Sequence, residues 1–271
     1  MGRIRLSFLL AWVVLGCATA MDSAPGPGQG EGRWIDLTHA LSSEAIFWPT
    51  AEPFELSVDA KGYTERGYYY SAYRFRTAEH GGTHADAPVH FAEAGQSVDE
   101  IPLSRLIGPA VVVDVSAKAR ASRDHRIDVA DLERWEAAHG RIPEGAIVLL
   151  HTGFDRYWPD AERYLGTAER GAEGAKKLHF PGLHPEAAAY LVERGIGSVG
   201  IDTASIDYGP SRDFASHVAL MTANIPAFEN LKGLDRLPPR GAFVVALPIK
   251  IAGGSGGPLR IVAWVPGSEV P

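Results

Sequence analysis

A continuous run of apolar, mostly β-branched residues from Ala110 to Val115, interrupted only by Asp114, constrains the fold of this chain more than any other feature. Successive apolar positions on a strand are typical of a sheet that is covered on both faces. Ala146 to His151 and Ser198 to Ile201 predict two further strands. Helical spacing from Asp128 to His139 and from Glu186 to Arg194 separates these strands, with an N-cap predicted at Asp128. The alternation of strands and helices predicts a mixed α/β domain.

Three more strands are predicted outside this alternation. Tyr68 to Phe75 alternates bulky aromatic and smaller residues, which is the period of a strand. Ala242 to Ile249 and Leu259 to Val265 flank a glycine-rich loop, Gly253-Gly254-Ser255-Gly256-Gly257-Pro258. A turn between two strands is the first interpretation of this loop. The second is a loop beside an active site, because glycines allow a backbone to approach a ligand closely.

The size and charge of the chain limit its class. It has 271 residues, with no internal repeat and no obvious linker after residue 34, so one folded domain over residues 34–271 is the simpler prediction. Lys and Arg number 26 and Asp and Glu number 33, which gives a net charge of −7 without any basic stripe. Binding of nucleic acid would lack its usual electrostatic driving force, so no nucleic-acid partner is expected.

The first 20 residues predict a signal peptide. Arg3 and Arg5 precede an apolar run from Leu6 to Leu15, which is too short to span a bilayer but is typical of a secretory signal. Two ends remain open: Ala18-Thr19-Ala20 has the form of an ordinary cleavage site, and Val14-Leu15-Gly16-Cys17 resembles a bacterial lipobox. In the second case the signal covers residues 1–16 and Cys17 is lipid-modified.

The expected location is therefore outside the cytoplasm, either in the periplasm or at a membrane through the lipid on Cys17 alone. Residues 21–33, rich in Gly, Pro and polar groups, predict a flexible tether between the signal and the folded domain.

The residues that carry chemistry are concentrated in one short segment. Three of the ten histidines and one aspartate fall within eleven positions. The segment reads His80-Gly81-Gly82-Thr83-His84-Ala85-Asp86-Ala87-Pro88-Val89-His90.

The backbone of this segment is restricted by its own residues. The two glycines disfavour a helix, and Pro88 holds the preceding residue in an extended conformation. In an extended chain His84, Asp86 and His90 have the same parity and face one side, with His80 brought round by the glycines. Imidazole and carboxylate together suit Zn²⁺, Mn²⁺ or Fe²⁺ rather than Ca²⁺. A metal site is therefore predicted, and a polar loop with a chance cluster of histidines is the alternative.

The segment resembles the H-x-G-T-H-x-D-x-P-x-H motif of the cyclase family, which includes bacterial kynurenine formamidases and isatin hydrolases. All seven fixed positions are filled. The likeness extends over roughly Trp34 to Trp264. It is carried by Asp36-Leu37-Thr38-His39, Phe47-Trp48-Pro49, the stretch Gly200 to Asp207, and His217 followed twelve positions later by Glu229-Asn230-Leu231.

The resemblance implies roles for individual residues. His80, His84 and Asp86 would bind a first divalent metal. Asp86, His217 and Glu229 would complete a second position in members that use two metals, and His90 would be the general acid/base. The metal would be Zn²⁺ or Mn²⁺, with one or two per site. The implied fold is a single domain of the swivelling β/β/α type, with a mixed sheet or barrel-like core flanked by helices, in a homo-oligomer (dimer or tetramer).

These parts predict a metal-dependent hydrolase that cleaves an amide, lactam or formamide bond of a small aromatic or cyclic substrate. A divalent metal lowers the pKa of a water molecule from about 15.7 toward about 7, and His90 moves the protons. The alternative is an exported, non-catalytic lipoprotein that binds a metal or solute. Such a protein needs the ligands but has no use for His90.

The substrate pocket is expected to be partly aromatic. Trp48 is predicted to bind substrate, because the family places an aromatic residue there. Phe47 and the tyrosines from Tyr68 to Tyr73 are first interpreted as core and sheet-face residues. Asp202 and Ser205 either bond to the metal-binding side chains or stabilise a turn.

Overall fold

The computed structural model describes residues 31–267. The predicted signal peptide, Cys17 and most of the predicted tether lie outside the described residues. The strands are β1 Gly32–Asp36, β2 Glu55–Tyr63, β3 Tyr69–Arg76, β4 His84–Asp86, β5 Ile107–Asp114, β6 Arg126–Ile127, β7 Ile147–His151, β8 Gly182–Leu183, β9 Ser198–Ile201, β10 Ala227–Glu229, β11 Arg240–Pro248 and β12 Gly256–Pro266. The helices are α1 Leu103–Leu106, α2 Ser116–Ala121, α3 Val129–His139, α4 Ala161–Leu165, α5 Gly171–Ala175, α6 Pro185–Arg194 and α7 Ala215–Thr222.

Seven of the strands close into a mixed barrel. Their order is β12-β11-β5-β7-β9-β10-β4, and β4 pairs with β12 to complete the ring, while β1 is added beside β12. The pairs β5–β7, β7–β9 and β9–β10 are parallel, and the other pairs in the ring are antiparallel. The predicted mixed α/β domain with a barrel-like core is confirmed.

Strand β5 shows why a continuous apolar run was informative. Ala110 and Val112 pack in the barrel interior, whereas Val111 and Val113 pack under α3 and α6 on the outside. Both faces are therefore buried, as the run predicts. The structure confirms the strand, which begins three residues earlier than predicted, at Ile107.

Helices α3 and α6 begin and end at residues that cap them. The Asp128 carboxylate accepts a hydrogen bond from the Asp131 backbone N–H and α3 ends before Gly140, so the predicted cap is confirmed. Helix α6 starts at Pro185 and ends at Arg194, and it is capped by Gly195, whose φ of 70° is easily adopted only by glycine. Among the described residues, no helix has the length and apolar character needed to cross a membrane.

The predicted strand at Tyr68–Phe75 is present as β3, but it does not belong to the barrel. It pairs with β2 in a separate antiparallel ribbon, with Tyr69 opposite Tyr63 and Phe75 opposite Leu56. The tyrosines of this ribbon are exposed, so the expectation that they pack in the core or on a buried sheet face is wrong. Alternation predicts a strand but does not say whether its apolar face has a partner within the same chain.

Candidate metal and active site

The ligand segment is placed by the strand that closes the barrel. His84 and Asp86 lie on β4, between β10 and β12, with His84 opposite Glu229 and Pro258. His80 reaches the same place because the chain bends at Gly82, whose φ is 60°. Gly81 is held against Phe47 so closely that an added Cβ would lie 2.0 Å from that ring, so no larger residue fits there.

The path of the chain to His90 differs from the expected one. Pro88–His90 forms a 3₁₀ turn that begins with proline, and the His90 backbone N–H donates to the Ala87 carbonyl. His90 lines the same pocket as His84 and Asp86, as the parity argument expected, but it reaches the pocket through this turn and not through an extended chain. Pro88 ends the extended conformation, because its fixed φ suits the first position of a helical turn.

The three side chains of the motif converge. His80 Nδ1 lies 2.6 Å from Asp86 Oδ1, and His84 Nε2 lies 3.1 Å from the same oxygen. One ligand atom from each residue lies within 4.8 Å of the others. His84 and Asp86 are buried, and His80 is partly exposed, so the group faces a solvent-accessible space.

Two distant residues join the group from the other side of Asp86. His217 Nε2 lies 3.2 Å from Asp86 Oδ2 and 3.1 Å from Glu229 Oε1. The second ligand group is thus Asp86, His217 and Glu229, all buried. Asp86 belongs to both groups through different oxygens, so it would contribute to both positions if two cations were bound.

Hydrogen bonds from outside the cluster orient two of the imidazoles. His84 Nδ1 donates to the Gly82 carbonyl at 2.9 Å, and His217 Nδ1 donates to Asp207 Oδ2 at 2.6 Å. Both rings therefore turn Nε2 toward the carboxylates, and Nε2 is the nitrogen left to bind a metal.

Asp207 is the orienting residue that the sequence interpretation did not single out. Its Oδ1 accepts from the Ser216 backbone N–H and its Oδ2 from the His217 backbone N–H, each at 3.1 Å, so it fixes α7 as well as the His217 ring. Asp202 has the other role considered for it: it accepts from Thr152 and Gly153 and contacts no ligand. The only available sequence signal for Asp207 was its position at the end of the stretch that the family resemblance already covered.

Burial and charge act against each other within the cluster. Burial disfavours the charged imidazolium, but the nearby Asp86 carboxylate raises the pKa of His84 to about 9. The pKa of His217 is raised for the same kind of reason, through Asp207, Asp86 and Glu229. Burial raises the pKa of Glu229, and the Asp86 charge adds to the effect. Buried carboxylates that hold protons on their neighbours favour a cation among them.

The donor set passes the test for a divalent metal. Three imidazoles and two carboxylates converge, two of the rings turn Nε2 inward, and a cation would balance the negative charge of the two buried carboxylates. Histidine and carboxylate donors suit Zn²⁺ and Mn²⁺ alike.

His90 stands beside the ligands and outside both groups. Its ring stacks on the His80 ring at a centroid distance of 3.8 Å. Burial, together with the positive charges of neighbouring imidazoles, lowers the pKa of His90 to about 4 although Asp86 acts in the opposite direction. The ring is therefore neutral at pH 7 and can accept a proton.

A pocket of about 300 Å³ opens over the cluster and includes His90. Trp48 lines it, and the centroid of its ring lies 6.1 Å from that of Phe214, which in turn lies 5.3 Å from that of Phe91. Phe91 and Phe214 are aromatic walls that the sequence interpretation missed. The only sequence signal for either residue was its nearness to a predicted site histidine: Phe91 follows His90, and Phe214 precedes His217 by about one helical turn.

Phe214 has an unusual backbone. It is the N-cap of α7 with φ of 50° and ψ of 37°, a left-handed conformation that bulky residues rarely adopt. Its ring is packed among Trp48, Phe91 and His217. The packing of the pocket wall holds the backbone in this conformation.

Comparison with known proteins places the chain in one family. The sequence model of the Cyclase family matches residues 35–208. Isatin hydrolase of Roseibium aggregatum is 34% identical over 69% of this chain and 72% of its own length. Kynurenine formamidase of Salinibacter ruber is 30% identical over 84% of this chain and 95% of its own length. The solved structure of isatin hydrolase A from Ralstonia solanacearum superposes with a TM-score of 0.77 at 37% identity, covering 86% of this chain and 92% of that one.

Proposed function

This chain belongs to the cyclase family of metal-dependent hydrolases, and we propose that it hydrolyses an amide, lactam or formamide bond in a small ring-bearing compound. One observation carries the proposal: a His/Asp/Glu cluster suited to a divalent cation lies at the base of an aromatic-walled pocket, with a neutral imidazole beside it. The names of the two relatives, an isatin hydrolase and a kynurenine formamidase, support this substrate class.

The catalytic roles follow from position. A divalent cation in the cluster supplies Lewis acidity and lowers the pKa of water from about 15.7 toward about 7. His90 has a free lone pair at neutral pH and faces the same pocket, so it accepts the proton of the attacking water. The protonated ring then returns that proton to the leaving nitrogen. Trp48, Phe91 and Phe214 hold the ring of the substrate against the cluster.

We propose Zn²⁺ or Mn²⁺ as the cation, with one or two per site. The shared use of Asp86 by two ligand groups supports a capacity for two. Elemental analysis of the purified protein, together with titration of the metal-free protein, gives both identity and count.

The experiment for the reaction compares two histidine variants on a panel of isatin, N-formylkynurenine and simple amides. His90→Ala should retain the metal and lower turnover by about 10²–10⁴-fold, because it removes the acid/base and no ligand. His84→Ala should lose metal and turnover together. His139→Ala, on an exposed residue at the end of α3, is the control and should change neither.

The panel also separates an enzyme from a binding protein. If the metal-loaded protein hydrolyses none of the compounds, the proposed substrate class is wrong. If His90→Ala loses the metal, His90 is a ligand and the assignment of the acid/base is wrong.

We further propose that the protein is a homodimer formed through the β2–β3 ribbon. One face of the ribbon is mostly apolar, because opposite residues of the two strands point to the same side, and Lys61 and Ser71 are its polar pair. The exposed side chains of this apolar ribbon face are Leu56, Val58, Tyr63, Tyr69, Tyr73 and Phe75. The other face is more polar: it carries the ion pair of Arg74 and Asp59 at 2.5 Å, with Tyr70 as its exposed aromatic residue.

The size of the apolar ribbon face supports this partner. Its six side chains expose on the order of 600 Å², which approaches the roughly 800 Å² per partner of a stable interface. Tyr73→Lys, at the centre of that face, should shift sedimentation from dimer to monomer. Ser57→Lys, on the polar face of the same ribbon, should leave the dimer intact. A wild-type protein that sediments as a monomer would refute the proposal.

We also propose export. Support comes from the basic residues Arg3 and Arg5 and the apolar run that follows them. The mature chain is expected to start at a lipid-modified Cys17 or near Met21, in the periplasm or at a membrane. Intact-mass measurement on protein from the native host distinguishes the two, and a product that retains Met1 refutes both.

A further inference from the structure

The glycine-rich segment 253–258 runs from the loop after β11 into the first residues of β12, and it packs directly on His80. Gly256 pairs with Asp86 across β12 and β4. A Cβ at Gly256 would lie 2.7 Å from His80 Cε1 and 2.5 Å from the Ala85 carbonyl oxygen. There is therefore no room for a side chain at Gly256, and the backbone at this position packs directly against the His80 ring.

Within this loop, Ser255 connects His80 to a carboxylate. His80 Nε2 lies 2.9 Å from Ser255 Oγ, and Ser255 Oγ donates to Glu79 Oε2 at 2.6 Å. Glu79 Oε2 also accepts from the Ser255 backbone N–H at 3.1 Å. The loop is fixed from its other side, because the Ala87 backbone N–H donates to the Ser255 carbonyl at 2.8 Å.

The protons in this chain of bonds are determined by the groups at its ends. An ionised carboxylate only accepts, so the single hydroxyl proton of Ser255 goes to Glu79. The Ser255 oxygen then has only lone pairs to offer His80, and Nε2 of His80 must carry the proton. Nδ1 is the other ring nitrogen and lies 2.6 Å from Asp86 Oδ1, at hydrogen-bond distance. A cation bound here would replace the proton between these two atoms.

His80 needs this device more than the other two imidazoles. His84 and His217 donate to a carbonyl and a carboxylate, and neither of those groups can donate back. A hydroxyl either donates or accepts, so Ser255 alone would leave both tautomers of His80 open. His80 is also the most exposed of the three, at 23% against 3% for each of the others, so burial restrains its ring less.

We propose that Ser255, oriented by Glu79, is a positioning residue that fixes the tautomer of His80 and presents its Nδ1 to the divalent cation. The inference rests on the proposed function only in taking His80 as a ligand. It assigns the glycine-rich loop a role at the site: small residues bring the Ser255 hydroxyl to the outer edge of the imidazole.

The test measures cation affinity and needs no substrate. Metal-free full-length protein is titrated with Zn²⁺ or Mn²⁺ in competition with a chelator. Ser255→Ala should weaken binding by about 10–100-fold, the usual effect of removing an outer partner of a metal-binding histidine. Ser255→Thr keeps the hydroxyl and should restore most of the affinity. Glu79→Ala should weaken binding in the same direction, because it frees the hydroxyl to rotate.

Ser97→Ala is the matched control. Ser97 also donates to a carboxylate, Asp99 Oδ1 at 2.7 Å, and Asp99 accepts from Gly253 of the same loop, but no histidine takes part. The Ser97→Ala variant should bind the cation with the same affinity as the wild type.

Two results overturn the proposal. One is equal cation affinity in the wild type and Ser255→Ala. The other is a loss in Ser255→Thr as large as in Ser255→Ala, which would assign the loop a purely packing role. Both differ from failure of the proposed function, which would appear as a wild-type protein whose cation affinity does not depend on His84.

Discussion

The β2–β3 ribbon and the ligand strand β4 follow each other closely in the chain. Each departs from the usual distribution of apolar residues inside and charged residues outside, but in the opposite way. The ribbon exposes large apolar side chains, with Tyr63 at 81% and Phe75 at 54%. Strand β4 and its neighbour β10 bury ionisable side chains: Asp86 is 1% exposed and Glu229 is 4% exposed. Exposed apolar patches and buried charges both need compensation from a partner.

The partners differ in kind. The ribbon pairs with nothing else in the described part of the chain, and in the proposed dimer its partner is the ribbon of a second copy. The cluster has three imidazoles and two carboxylates with inward-facing ligand atoms, so its compensation is a cation. Two neighbouring segments therefore differ in the kind of partner that would balance them. The cluster lies on the outer face of the barrel wall, because the alternate residues Ala85 and Phe228 point into the interior.

The largest expected effect is at the residue shared by both ligand groups. Asp86→Asn keeps the shape of the side chain but removes the charge that faces His80, His84 and His217. Metal content should fall to background at both positions, and turnover should fall with it. Elemental analysis checks this, with Asp99→Asn as the control. Retention of one metal equivalent would show that the two ligand groups do not depend on one bridging carboxylate.

The barrel beneath the site should respond next most strongly. Phe228 lies on β10, fully buried in the barrel interior, and its backbone is paired with Ala85 of the ligand strand. Phe228→Ala should lower the free energy of unfolding by about 3–5 kcal/mol, because it leaves a cavity under the site. Chemical denaturation measures it. A loss below about 1 kcal/mol would mean that the interior collapses around the missing ring.

A smaller effect is expected where the pocket wall meets the strained backbone. Phe214→Gly should be more stable than Phe214→Ala by about 1 kcal/mol, because glycine adopts a φ of 50° without steric cost. Both variants should raise the KM for a ring-bearing substrate and leave metal content unchanged. If alanine and glycine are equally stable, the left-handed conformation at this position is not strained.

The smallest effect is expected at the tip of the ribbon. Tyr63→Ser should change the free energy of unfolding by no more than about 0.5 kcal/mol, measured at a protein concentration where the chain is monomeric, because the ring has few contacts to lose. The same substitution should weaken dimerisation. A large loss of stability in the monomer would contradict the view that this face packs against a second copy.

The elements that the sequence predicted well are those with enough residues to show a period or a continuous run. Strands β5, β7 and β9 and helices α3 and α6 belong to this group. Strands β4 and β10 have three residues each, too few for any periodicity, and both are defined by the pairing that closes the barrel. Closure of the barrel depends on pairing between residues far apart in the sequence, so a local pattern does not predict it.

The site divides in the same way. His80, His84 and Asp86 were recognisable because they lie within a few positions of one another, whereas His217 and Glu229 came only through the family resemblance. The residues that orient the ligands were harder still. Ser255 lies 175 positions from His80, and the polar character of one serine in a glycine-rich loop does not indicate which histidine it contacts. Phe214 was missed because backbone strain leaves no mark in a sequence.

The closing strand of the barrel has a thermodynamic consequence. His84 and Asp86 reach the other ligands only when β4 pairs with both β10 and β12, so the cation binds the closed barrel and not the open chain. By mass action, each bound cation raises the free energy of unfolding, by about 2.7 kcal/mol when its free concentration is a hundred times its dissociation constant. The melting temperature should therefore rise with free cation and fall with chelator, in the absence of any substrate. In a cation-poor environment this enzyme would lose stability together with activity.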